Sequence, residues 1–217
     1  SQNDLSTATT VVGYMWDVEE NTGKATLDFS WQAWYPVIDI NTSYGARTAY
    51  TDSAQRYNFN EAIISGGLSL PLIFTGGRYY KGIRLQAFSS FFNITNNTSP
   101  LEDKLTGTIN SINYGFNAYR YIKQSYKDLY PRWGQAITIA FSHSPFGDND
   151  YGSIASVSTR FYFPGLLRHN SIKLDLNWQQ RNSGTYSYSN RINLPRGYNN
   201  VYDEEIASFA LNYKFPF

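Results

Sequence analysis

Cysteine is absent from the 217 residues, methionine occurs once and histidine twice. The lack of thiols excludes disulfides and thiolate metal sites. No run of about 18 uncharged apolar residues occurs, which excludes a membrane-crossing helix. Charge is scarce too: 16% of residues are charged and the net charge is +1, leaving no electrostatic case for nucleic acid. The opening SQNDLSTATT has no basic region followed by an apolar core, so a secretion signal is either removed or outside this chain. Helical periodicity is missing throughout.

Aromatics are abundant instead. There are 19 Tyr, 14 Phe and 5 Trp, yet the mean hydropathy is polar at −0.45. The apolar residues are therefore spread out, and the period of their spacing is two. In KATLDFSWQAW, Ala25, Leu27, Phe29, Trp31 and Ala33 alternate with Thr26, Asp28, Ser30 and Gln32. In SIKLDLNWQQ, Ile172, Leu174, Leu176 and Trp178 alternate with Lys173, Asp175, Asn177 and Gln179. Ala207, Phe209, Leu211, Tyr213 and Phe215 repeat the pattern against Ser208, Ala210, Asn212 and Lys214. Such alternation puts one sheet face in an apolar medium and the other in a polar one.

Ten segments show it, near 7–18, 24–34, 36–50, 59–74, 78–93, 105–122, 133–143, 151–163, 171–182 and 201–216. Strands of soluble proteins average about five or six residues. About 9–11 tilted residues cross a bilayer, and most of these segments are that long. Connections alternate between short ones (34–36, 74–77, 164–170) and longer polar ones, with 123–134 long although it falls on the short side. Short turns on one side and long loops on the other are the layout of an outer-membrane meander. Trp16, Trp34, Tyr79, Tyr80, Trp133 and Phe163 near segment ends suit interfacial girdles. The expected fold is all-β: an antiparallel up-and-down transmembrane β-barrel, with 1–217 as a single domain. A soluble sandwich or lipocalin-like barrel also alternates, but turns its apolar face inward.

Late in the chain stands RINLPRGYNN, between two such segments. LPRGY, with Leu194, Pro195, Arg196, Gly197 and Tyr198, resembles the arginine-glycine-aromatic motif of the outer-membrane protein 85 superfamily, the BamA-like bacterial surface-antigen barrels. The strand that follows, EEIASFALNYKFPF, is similar to that family's next strand. LSTATTVVGYMWDVEENTG, SWQAWYPVIDI and YPRWGQ are similar to barrels of Bacteroidota, some of which carry a TolB-like periplasmic propeller. The resemblance implies a Gram-negative outer-membrane location and translocation or insertion of polypeptide or lipid substrates without bond chemistry. It implies outer-membrane lipid, a polypeptide substrate or a periplasmic partner as partners, and no cofactor.

In that family the motif loop folds back into the barrel and its arginine contacts the inner wall. Arg196 would then need a carboxylate, carbonyls or an aromatic face. Asp175, Asp203, Glu204 and Glu205 are the candidate partners in this chain. Gly197 permits a tight or left-handed backbone, and Pro195 stiffens the approach. Family barrels have sixteen strands, so two expectations stand: a fragment of a larger barrel, or a complete ten-stranded pore or structural barrel.

A third reading is enzymatic. His143 lies near Asp148 and Asp150 in SHSPFGDND. The omptins, ten-stranded outer-membrane proteases, use aspartates with an Asp–His pair at that rim. A general base needs an orienting partner within hydrogen-bond reach, and the solvated loop is the plainer reading.

Overall fold

The structure is a computed structural model that describes residues 7–33, 35–50, 56–98, 107–124, 130–147, 149–166, 169–184, 187–194 and 203–214. Ten strands and no helix form among them. They are β1 (Ala8–Asp17), β2 (Thr22–Trp31), β3 (Val37–Tyr50), β4 (Arg56–Phe74) and β5 (Tyr79–Thr95). β6 (Gly107–Ile122), β7 (Gly134–His143), β8 (Ser153–Pro164), β9 (Ser171–Asn182) and β10 (Glu205–Lys214) follow. The strands are antiparallel and up-and-down, in one sheet ordered β1 to β10. The expected all-β class and all ten segments are present.

Boundaries differ at three places, for local reasons. β2 stops at Trp31, short of Pro36, which cannot donate to a ladder. β10 begins only at Glu205, after the exposed Asp203 and Glu204. β3 ends at Tyr50 as expected, whereas β4 begins at Arg56, three residues before the expected start. Thr48, Ala49 and Tyr50 pair with Asn58, Tyr57 and Arg56, so the connection shrinks to 51–55. The longest connection is 183–204, after β9.

The sheet divides into two compact units, Ser1–Ser69 with Ala87–Asn113 and Ser144–Asp150, and Leu70–Gln86 with Tyr114–His143 and Tyr151–Phe217. In the first unit, Asp28 pairs with Asn41 and Asn41 with Ser65 on one face, while Leu27, Thr42 and Ile64 line up on the other. In the second, Thr138, Ser158, Asn177 and Ser208 form one polar cross-strand row. Phe161, Leu174 and Leu211 form an apolar row on the opposite face.

Burial in the second unit is the reverse of a soluble sandwich. The covered residues Ser142, Ser156, Tyr162, Gln179 and Arg181 belong to the polar rows, with Ile154 among them. Leu176, Trp178, Phe209 and Leu211, on the apolar rows, are exposed; Phe209 and Leu211 are each 63% exposed. The first unit likewise exposes Leu27, Ile40, Ile64 and Leu68. Monomeric soluble proteins rarely leave large contiguous apolar patches uncovered.

Two glycines of the second unit, Gly82 and Gly134, are roofed by neighbouring rings. A methyl group at Gly82 would meet the Tyr119 ring at 2.5 Å, and one at Gly134 would meet Tyr121 at 2.6 Å. Tyr119 stacks on Tyr121, with centroids 5.4 Å apart, and Tyr121 meets Tyr162 edge-on at 5.7 Å. Rings thus fill the space that the glycines leave, a device that pins register and supports curvature.

Candidate functional site: a loop seated on the polar face of β7 to β10

Alternation brings Ser142, Gln179 and Arg181 to one face of β7 and β9, close to the ends where the long 183–204 connection departs. Residues 187–194 of that connection return onto this face. Gln179, fully buried, joins strand to loop. Its Oε1 accepts from the Arg191 backbone N–H at 2.7 Å, and its Nε2 donates to Asn190 Oδ1 at 3.0 Å. An amide offers one acceptor and two donors, so a single side chain can read both groups. Arg181 Nη2 donates to the same Asn190 oxygen. Arg191 Nη2 reaches β7 and donates to Ser142 Oγ at 2.6 Å. Ser208 Oγ donates to the Asn193 carbonyl at 3.3 Å, and Ile192 is buried.

Farther along the same face, Asp175 collects two cations. Arg160 Nε and Lys173 Nζ each approach it to 2.7 Å. Asn177 Nδ2 donates to Ser208 Oγ at 3.0 Å. A cleft of about 210 Å³ remains between loop and sheet, lined by Arg160, Asp175, Arg191, Asn193, Leu194 and Ser208 among others. Its donors and acceptors suit a polar or peptide-like chain.

Of the motif residues, Leu194 is half-buried beside this cleft, whereas Pro195, Arg196, Gly197 and Tyr198 lie outside the described residues. Of the expected partners, Asp175 is engaged by Arg160 and Lys173. Asp203 and Glu204 are exposed, with the Glu204 carbonyl accepting from the Arg181 N–H at 2.6 Å. Glu205 Oε1 accepts from Trp178 Nε1 at 2.8 Å. The arginine that the described loop seats on the sheet is Arg191, five positions before the motif arginine. The alternation of β9 already put Gln179 on this face, but nothing in the local sequence marks Asn190 and Arg191 as its partners.

His143 stands in the apolar row of β7, stacked on Phe141 and Tyr114 with centroids 5.3 and 5.9 Å away. Its Nδ1 is buried without a hydrogen-bond partner among the described residues, and Asp148 lies outside them. No three His, Asp or Glu converge as a metal site among the described residues.

The first unit has its own charged cluster. Arg47 of β3 binds Glu20 of the β1–β2 turn through Nε and Nη2, both at 3.0 Å, and the Thr48 N–H adds 3.1 Å. The Arg47 hydrogen bonds, then that of Thr48, hold the Glu20 carboxyl below the usual carboxylate range. Lys24 and Arg47 flank Glu61 at 3.6 and 3.8 Å.

No family model matches the chain, nor does any curated protein or solved structure.

Proposed function

We propose that this chain is a transmembrane β-barrel, or part of one, in a bacterial outer membrane. We propose further that it handles polypeptide or lipid substrates in the manner of BamA-like barrels. The observation that carries the membrane reading is the reversed burial: the buried residues of the second unit fall mostly on the polar rows, while large apolar side chains such as Phe209 and Leu211 are exposed. Strands of 10–19 residues add to it, since about 9–11 tilted residues span the hydrocarbon. Outside-facing apolar residues with a polar interior are the arrangement of outer-membrane barrels. The seating of 187–194 on the polar face favours a substrate-handling barrel over a passive pore, because that segment occupies the surface a pore would keep for water.

The chain has no cysteine, so single introduced thiols report the two faces cleanly. Ala210 and Leu211 are neighbours on β10 and point to opposite faces. In reconstituted vesicles a polar maleimide should label Ala210→Cys and spare Leu211→Cys until the bilayer is dissolved. Equal labelling of both in intact vesicles would remove the membrane reading.

A further inference from the structure

A groove crosses the apolar face of the second unit. Ala118 of β6 is one of the small residues that line it. Phe74, Ile83, Ile137 and Phe161 also line it, and its volume is about 450 Å³. That falls within the roughly 300–1,000 Å³ of ordinary ligand sites. The lining is almost wholly carbon, except at one end, where Lys81 and Arg120 enter it.

That end is built to meet an anion at a membrane interface. The Arg120 guanidinium lies over the Tyr79 ring, 4.1 Å from its centroid, and Lys81 Nζ is 6.0 Å from the same ring. Lys123 Nζ sits 5.6 Å from the Tyr80 ring. Stacking holds a guanidinium by its face and leaves its in-plane N–H donors open. Neither Lys81 nor Arg120 has a carboxylate partner among the described residues. The stretches Leu70–Gln86 and Tyr114–His143 contain seven Lys or Arg and one acid, Asp128, whereas the whole chain is nearly balanced. Trp133 and Gln135 border the same end beside Tyr79 and Arg120, and Trp and Tyr concentrate at the headgroup level of bilayers.

We infer that this groove seats one acyl chain of an anionic glycerophospholipid, with the headgroup phosphate held by Arg120 and Lys81. The inference rests on the membrane reading above. Within that reading, the cationic end faces the side of the short β4–β5 connection, 75–78. This is the periplasmic side of an outer-membrane barrel. The charge selects an anionic headgroup, and the bare hydrocarbon groove selects a chain rather than a soluble phosphate.

The test uses the chain in mixed micelles with phosphatidylglycerol or phosphatidylcholine of identical acyl chains, and counts retained lipid by native mass spectrometry. Phosphatidylglycerol should be retained about tenfold better, two interfacial cations being sufficient for that ratio. Lys81→Gln with Arg120→Gln should abolish the preference. Ala118→Phe, which adds a ring to the groove lining and keeps both cations, should lower retention of both lipids alike. Equal retention of the two lipids by the unaltered chain, or a preference that survives the double substitution, would overturn the site. Vesicle flotation of the same preparations separates the two ideas: a chain that fails to float with vesicles overturns the membrane reading itself, whereas one that floats but shows no preference overturns only the lipid site.

Discussion

Arg191 Nη2 donates to Ser142 Oγ at 2.6 Å, tying the long connection after β9 to a fully buried hydroxyl on β7. The bond spans 49 positions of chain, and it depends on the neighbouring Gln179–Asn190 contact to place the loop. Hydrogen bonds to charged groups contribute about 1.5–3 kcal/mol, and leaving a buried partner unmade costs about 1–3 kcal/mol. Arg191→Ala should therefore free the loop more than it weakens the sheet. The measurement is amide exchange: protection should fall across 187–194 and persist in β8 and β9. Uniform loss of protection would mean that the loop is part of the sheet's cooperative unit. Protection unchanged at 187–194 would deny the bond any anchoring role.

The same variant tests what the loop does. If 187–194 occupies the interior of a barrel, the unaltered chain should be quiet in a planar bilayer, and Arg191→Ala should give frequent conductance steps. Gln179→Leu should act alike, since it removes both the acceptor for the Arg191 N–H and the donor to Asn190. Steady conductance by the unaltered chain would favour the passive-pore alternative.

Asp175 lies between Arg160 and Lys173 on the polar face, each at 2.7 Å. Removing its charge leaves two cations close together. Because the Arg160 side chain is 42% exposed, solvent screens much of the effect. Asp175→Asn should cost about 1 kcal/mol, read as a lowered thermal midpoint. Adding Arg160→Met should recover part of that loss, since contacting residues couple in a double-mutant cycle. Full additivity of the two substitutions would show that the pair contributes nothing.

The ten strands were legible because alternation is local and every strand is long enough to show it. RINLPRGYNN is different. The seat of its described residues, 191–194, depends on Gln179 and Ser142, 12 and 49 positions from Arg191, and no local period encodes such pairing. Asp175 illustrates the same limit from the other side. Its polar-face position was readable from SIKLDLNWQQ, but only the β8–β9 register, which pairs it with Arg160, shows which cation it meets. Arg47 of β3 and Glu20 of the β1–β2 turn, 27 residues apart, meet through a contact that no local period encodes.

That Arg47–Glu20 pair has a pH signature. The carboxyl of Glu20 is held low by Arg47 first and by the Thr48 N–H second. A carboxyl with a depressed folded value stabilises fully above its unfolded pKa, and the contribution fades as pH falls through the lower folded value. The anchor of the β1–β2 turn should therefore hold at neutral pH and weaken in acid. Comparing the unaltered chain with Glu20→Gln across pH isolates it: the stability difference should be largest at neutral pH and vanish below the carboxylate range. A difference constant with pH would assign the effect to geometry instead of charge.

Gly82 offers the last test, of the rings that roof the glycines. A Cβ there would stand 2.5 Å from Tyr119, and Tyr119 is itself stacked on Tyr121. The ring cannot retreat without losing that stack, so the strain must be shared along β5 and β6. Overpacking of this kind costs about 1–3 kcal/mol. Gly82→Val should lower the unfolding midpoint accordingly, although valine is by itself a better strand former than glycine. Shrinking the ring in the double variant Gly82→Val with Tyr119→Leu should restore much of the loss. A Gly82→Val chain as stable as the original would mean that Tyr119 swings away freely, and that the ring is not what holds β5 and β6 in register.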